Sequence, residues 1–523
     1  MSEGPAEAAP ALVSGRSYRL SASAPGIIAV LAVLYAGLCK ALLFHNLEYV
    51  GSDLFSFLEM TRSWYYDGRL LHDNVYGDHN AIHNFYLLPA FSPLTIPLGA
   101  YGLILGLALL DLIAVLRVVS SGALDLCGRL ATLAGFLSPI AYFAFDHPRW
   151  GFHPELCYPP LALLLALDLV DGRPKRAGLV GLLVVLVKED GAVLCASVLL
   201  AYFTWRLWVL RNGSRQERRR VVAAALASLL AMTLVFALGM AALVATAPAS
   251  GSTQITAAPR VLDSLRILGQ TAGGQGDPDA RLRLQRGLTG YALVGALLLL
   301  PLGRRLPRGL LLLVVSSPPL VTVLVVSSGG YAFGLMLWPP RIATLLALVV
   351  ACLVFASSKS WSRAASAKPG PRPAWSAAGV GALILVSWGL QLPLLARVRY
   401  PLWPRLHAWA LLDERGYRLS TLPRREVRFV RCIAEHLPAG LPVFPAGDTH
   451  PLFHRQSLVF GGLETRALRR PRLRVVPSSD GAAAGEGTPC RGPRVGGLAV
   501  VAECGLLPLV AGCDRVADAD STP

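Results

Sequence analysis

Long apolar runs separated by short polar segments occupy the first 396 residues, and a mixed, arginine-rich pattern replaces them afterwards. Runs long enough to cross a hydrocarbon core, about 20 residues each, extend over 27–44, 94–116, 130–145, 156–170, 221–245 and 335–355. Shorter or interrupted runs cover 179–200, 291–302, 310–326 and 380–395. The charged triplet Lys188-Glu189-Asp190 splits the first of these, because charge at membrane depth is tolerated only where it faces protein or water. Read as a turn between two short spans, it brings the count to about eleven. The pattern predicts an all-α polytopic transmembrane bundle of about 10–11 helices.

Composition points the same way: 54% hydrophobic against 15% charged residues, with a mean hydropathy of +0.51, exceeds what a soluble core of 523 residues hides. Lys and Arg then set the orientation by the positive-inside rule. Arg173, Lys175 and Arg176 lie in one loop, and Arg206, Arg211, Arg215, Arg218, Arg219 and Arg220 in the next. Arg304, Arg305 and Arg308 follow, and then Lys359, Arg363, Lys368 and Arg372. With these four loops cytoplasmic, the N-terminus is inside and the C-terminal region outside. The net charge of +17 is then a topology signal plus an arginine-rich tail, and nucleic acid is not an expected partner.

Three regions follow. Residues 1–25, rich in Ala, Ser and Gly, form a disordered cytoplasmic N-terminus. The first apolar run lacks a small-residue cleavage site and is retained as a span. Residues 26–396 form the multi-span domain, with outer loops at 45–88, 146–155 and 248–288. Residues 397–523 form a small extracytoplasmic α/β or irregular domain, with strand-like runs at 441–444 and 498–502 and a flexible Gly/Ala/Ser-rich loop over 477–493. Cys432, Cys490, Cys504 and Cys513 fall in this last region and allow one or two disulfides; Cys39, Cys127, Cys157, Cys195 and Cys352 sit in or beside apolar runs as packing residues.

On this map all ten histidines lie on the outer face, together with the acids best suited to catalysis. The loop after the first span carries Ser52-Asp53, Glu59, Trp64, Tyr65, Tyr66, His79 and His83. Asp53 there suits a general base for a hydroxyl acceptor, with Glu59 as its substitute; an interfacial acid or helix cap is the competing account. The turn 146–155 holds Asp146, His147, Arg149, His153 and Glu155, more titratable groups than a connection between spans needs. His153, Glu155, Asp146 and His147 form a candidate set for a divalent metal ion, and Arg149 offers a phosphate grip. The triplet Lys188-Glu189-Asp190 is a second candidate for substrate or phosphate binding, against a local Lys188–Glu189 pair at a turn. Tyr331 and Arg341, the latter in Trp338-Pro339-Pro340-Arg341, add an arginine near the outer surface that either holds a lipid phosphate or snorkels to headgroups.

In order, Asp53, His83 followed by Ser92-Pro93-Leu94, Phe152-His153-Pro154-Glu155 and Lys188-Glu189-Asp190 resemble a bacterial family of polytopic membrane proteins of unknown function. That family is similar to the GT-C superfamily of membrane glycosyltransferases. Residues 331–341 and His450-Pro451-Leu452-Phe453-His454-Arg455 resemble its closing segments, so the likeness runs over most of the chain. It implies a plasma-membrane transferase that moves a sugar from a polyprenyl-phosphate donor to a glycan, lipid or protein acceptor on the outer face. It also implies Asp53 as catalytic acid of the first outer loop, although Ser52 stands where the superfamily has an adjacent second acid. A lipid-phosphate donor needs an apolar groove for its tail, a cation for the leaving phosphate and a base at the acceptor. Lys188 and Arg341 are the expected cations, and His153, Glu155 and His83 the expected donor-orienting groups. The rivals are a transporter or flippase for a lipid-linked or anionic substrate, which should show internal repeats that this chain lacks, and a non-catalytic envelope scaffold.

Overall fold

A computed structural model describes residues 24–45, 52–73, 77–78, 83–144, 151–246, 309, 311–317, 320, 339–359, 424–445, 452–458, 472–477, 490–495, 498–518. Tyr331 and the tract 146–150, with Asp146, His147 and Arg149, lie outside these residues, as do His79 and the apolar runs 291–302 and 380–395.

The described chain is mostly helical, with a small sheet near its C-terminal end. Helix α1 (Ala24–His45) is followed by α2 (Ser52–Tyr66), a short antiparallel pair β1 (His72–Asp73) and β2 (Gly77–Asp78), and then α3 (Ser92–Leu98), α4 (Ala100–Ser120) and α5 (Leu126–Ala144). A 3₁₀ turn at Pro154–Cys157 leads into α6 (Tyr158–Val170), then α7 (Pro174–Val187), α8 (Gly191–Val209), α9 (Arg215–Thr246) and α10 (Pro339–Ser357). Among the described residues, three helices are long and apolar enough to cross a membrane: Ala100–Ser120, Gly191–Val209 and Arg215–Ala242. Leu226, Leu230, Leu234 and Leu238 stand exposed at four-residue spacing along α9, the arrangement of a helix facing a hydrocarbon solvent.

Two expectations need correction. The apolar run 94–116 is not one helix: Pro97 lies in the last turn of α3, and Gly99, at φ +58°, turns the chain before α4 begins. The loop 45–88 is also not simply a loop, because it folds the 15-residue α2, whose Leu54, Phe55, Leu58 and Met60 are buried. The triplet 188–190 does separate two helices, α7 and α8, as a turn should.

Helix α6 is the axis of the core. Every residue from Tyr158 to Asp168 is buried, as befits a helix apolar all round, and α4, α5, α7, α8 and α10 surround it directly or through one neighbour. Gly191 explains how close α8 approaches α7: a Cβ there would lie 2.1 Å from the Val184 carbonyl oxygen.

The C-terminal sheet runs in the order β4 (Ser457–Leu458), β3 (Pro442–Phe444), β5 (Leu473–Pro477), β7 (Leu498–Ala502), β6 (Cys490–Val495). β3 is parallel to β4 and β5, and the remaining pairs are antiparallel. The strand-like runs near 441–444 and 498–502 are strands, whereas the end of the tract 477–493 is drawn into β6 and its middle lies outside the described residues. α11 (Arg424–His436) presents Val427, Val430, Ile433 and Ala434 to the core at helical spacing and keeps arginines on its other side. Disulfides join Cys432 to Cys513, in α13 (Cys513–Asp518), and Cys490 to Cys504, just before α12 (Leu507–Val510). Cys157, Cys195 and Cys352 are buried packing residues, whereas Cys127 is exposed.

Candidate functional site

Three sequence-distant motifs meet at the start of α6. The first comes from the 3₁₀ turn Pro154–Cys157, which begins with His153 in extended backbone and fixes Glu155 in its first turn. The second is the α7–α8 turn, where Lys188, also extended, points back over the first turn. The third is the segment 83–87, tied to α7 by a hydrogen bond from the Leu87 amide to the Leu186 carbonyl at 2.7 Å.

Lys188 Nζ donates to Glu155 Oε1 at 2.9 Å, with the two side chains 7% and 4% exposed. The ammonium also lies 5.8 Å from the centre of the Phe85 ring. Glu155 Oε2 is buried without a hydrogen-bond partner and faces His153 Nδ1 at 3.5 Å. Glu189 takes a separate partner: its Oε1 is 2.8 Å from His83 Nδ1, and its Oε2 accepts the Asn84 amide at 3.3 Å. Asn84 Nδ2 donates in turn to the Gly239 carbonyl of α9 at 3.2 Å. Tyr158 donates its hydroxyl to Asp190, completing a polar layer around the head of α6.

The Lys188–Glu189 pair weighed from sequence is therefore replaced by two crossed pairs, Lys188–Glu155 and His83–Glu189. Burial alone would raise both acids, but the facing charges win. Lys188 and His153 hold Glu155 well below the usual carboxylate range, and His83, with Lys188 behind it, holds Glu189 at about 2. Both acids are thus anionic at neutral pH. Lys188, compensated by Glu155, is not a lone cation waiting for an anion.

Helix α2 supplies the near wall. Phe57 sets its ring 4.8 Å from His153 and 5.3 Å from Phe85, both edge to face. Position 53 lies one turn before Phe57 on the same helix, hence on the same face. Glu59 is buried, and its charge acts on Arg62 of its own helix. Arg341 is the third residue of α10, a helix that packs on the Pro154–Cys157 turn and ends at Ser357, where Ser358 bridges Leu124 in the α4–α5 connection that is bonded to Asp171 at the opposite end of α6. Position 341 is therefore at the cluster's end of the molecule.

A pocket of about 40 Å³ lies between α1, α4, α5 and the start of α6, lined by Val33, Ile104, Leu107, Phe136 and Leu156 together with the charged side chains Lys40 and Asp111. His153 and Glu155 are two donors of a metal set, but Lys188 already occupies one carboxylate oxygen, and the described residues do not complete a divalent-ion site there. Sequence reasoning missed Tyr158, Asn84 and Phe57. Asn84 adjoins His83, but nothing in the local pattern marks Tyr158 as the partner of Asp190, 32 positions away.

Comparison with known proteins gives no match: no family profile, no curated protein and no solved structure matches the chain.

Proposed function

We propose that the protein is a multi-pass plasma-membrane glycosyltransferase that takes a sugar from a polyprenyl-phosphate donor, with the N-terminus cytoplasmic and the cluster, α2 and the C-terminal domain on the outer face. The observation that carries this reading is the meeting of His83, His153, Glu155, Lys188, Glu189 and Asp190 in one largely buried layer at helix ends. Buried charge of this density is expensive and is retained where it serves a ligand. Carboxylates held ionised, with Glu155 Oε2 facing only the long 3.5 Å His153 contact among the described residues, suit the hydroxyls of a sugar.

In the reaction, the acceptor oxygen attacks the anomeric carbon and the carbon–oxygen bond to phosphate breaks. The phosphate leaves with the bonding electron pair, and the acceptor proton passes to the Asp53 carboxylate. Arg341 is assigned the departing phosphate, because Lys188 is engaged by Glu155. Lys188 and His153 instead hold Glu155 in place to orient the sugar.

The test is native mass spectrometry of the detergent-purified full-length protein. Wild type should carry a polyprenyl phosphate or its sugar adduct, Arg341→Ala should lose it, and Asp53→Asn should retain it but fail to transfer. A wild-type protein free of any such lipid overturns the reading, as does full transfer by Asp53→Asn.

A further inference from the structure

Arg62, on α2, is only 2% exposed, yet its described hydrogen-bond partners are carbonyls of the C-terminal domain. Its Nη1 donates to the His454 carbonyl at 3.0 Å and its Nη2 to that of Gln456. The Gln456 side-chain Nε2 donates in turn to the carbonyls of Ala434 and Leu437, each at 3.1 Å, which fixes the turn to the end of α11. The His454 side chain closes the same contact from the other direction. Its ring stands edge-on to Phe44 of α1 at 5.3 Å and to Tyr101 of α4 at 5.4 Å, and its Nδ1 is buried without a hydrogen-bond partner. The fit depends on Gly99, where a Cβ would lie 2.2 Å from that nitrogen. A second close approach lies alongside: Gly440, at φ +74°, packs on the Tyr66 ring of α2.

The charged groups facing His454 are Arg62 from α2, Arg431 from α11 and its neighbour Arg455, all cations. From α1, His45 lies against the same Tyr101, 3.3 Å from its hydroxyl. A neutral imidazole fits this surrounding and an imidazolium does not. We infer that His454 is a protonation-sensitive wedge docking the C-terminal domain on the helical part, so that acidification releases the domain and frees α2, the helix of Asp53 and Glu59. The consequence for transfer rests on the glycosyltransferase reading; the docking equilibrium does not.

Burial first, then Arg62, Arg455 and Arg431, push His454 down to about 3. Released, it returns to about 6.5, so protons bind the undocked form preferentially below that pH. Docking is at full strength above about 6.5 and weakens up to tenfold per pH unit as pH falls towards 3, reaching about 100-fold at pH 4.5.

Amide hydrogen exchange on the full-length protein, corrected for the intrinsic pH dependence of exchange, reads this directly. The Gly440 and Gln456 amides, bonded to the Arg455 and Phe453 carbonyls, should lose protection about 100-fold between pH 7.5 and 4.5. His454→Phe should keep them protected at both values. His454→Gln, which also cannot titrate, serves if the larger ring does not insert, and His45→Phe should leave most of the response. Equal wild-type protection at both pH values, or an acid response that survives in both His454 variants or vanishes in His45→Phe, overturns the wedge. None of these readouts involves transfer, so they leave the fate of the enzymatic reading to its own test.

Discussion

At the end of α6 opposite the cluster, Arg117 of α4 reaches Asp168 at 2.9 Å and also binds Asp171, while Ser121 Oγ and the Ala123 amide fill Asp171 Oδ1 at 3.2 Å each. At the head of α6, Glu155 pairs with Lys188 and Glu189 with His83, two partners drawn from two different segments. The two groups are about 20 Å apart along a 13-residue helix. The first is closed: one guanidinium bridges two carboxylates three residues apart, and backbone and hydroxyl donors take up further oxygen sites. It staples α4 to α6. The second is open: among the described residues Glu155 Oε2 has only the long 3.5 Å contact to His153, His83 is a quarter exposed, and the participants come from three stretches of sequence. Similar charge chemistry thus serves attachment at one end and leaves acceptor capacity for a ligand at the other.

The largest effect that separates them comes from removing each cation. Lys188→Met leaves Glu155 buried and uncompensated, and Arg117→Met does the same to Asp168 and Asp171; each should cost about 3–5 kcal/mol in denaturant unfolding of the purified protein. The double variant Lys188→Met/Glu155→Leu should recover most of that loss, since an apolar pair of similar volume removes the desolvation penalty. It should still lack the co-purifying lipid, whereas folded Arg117→Met should retain it. If the repaired double variant carries lipid like wild type, the cluster at the head of α6 is no more functional than its counterpart.

How much of this was legible beforehand depends on distance along the chain. The helices at α1, α5 and α9, of which α9 is long and apolar enough to cross a membrane, and the turn at 188–190 follow from run length and a charge interruption, both local signals. The four C-terminal cysteines were legible as disulfide formers, but their pairing, 81 and 14 residues apart, is a matter of the sheet that holds them. His83, His153, Glu155 and Lys188 were each visible as costly polar residues near apolar runs. Their crossed pairing was not, because Lys188 has an acid next to it in sequence and takes one 33 positions away instead. The break at Gly99 was hidden for a similar reason: its neighbour His454 lies 355 positions further on. Helix α2 was hidden because its buried face borders the cluster and the C-terminal domain, so its pattern mixes apolar residues with Ser, Glu and Arg.

A smaller effect sharpens the comparison through pH. His83→Phe removes the side chain that does most to hold Glu189 down, and should cost about 1–3 kcal/mol at pH 7. Glu189 is anionic in the fold at about 2 and takes a proton near 4.5 when unfolded, so its contribution is complete above about 4.5 and is lost as pH falls towards 2. In His83→Phe the folded-state value rises towards 4.5. That narrows the acid window and lessens the wild-type fall in stability between pH 5 and 3. Equilibrium unfolding at a series of pH values measures it; a variant whose pH slope matches wild type shows that Lys188 alone fixes Glu189.

The smallest effect concerns Tyr158, whose hydroxyl donates to Asp190 within the core. Tyr158→Phe keeps the ring and its packing and removes one donor to a charged acceptor, which should cost about 1.5–3 kcal/mol if Asp190 is held by that donor, and well under 1 if other donors compensate. At the opposite end, Ser121→Ala removes one of several donors to Asp171 and should cost under about 1 kcal/mol, because Arg117 and the Ala123 amide remain. A closed network tolerates the loss of one member; an open one does not. Equal, negligible costs at both sites would mean that the layer around α6 is as redundant at its head as at its foot, and the unfilled oxygen of Glu155 would then stand as an isolated defect rather than the mark of a ligand site.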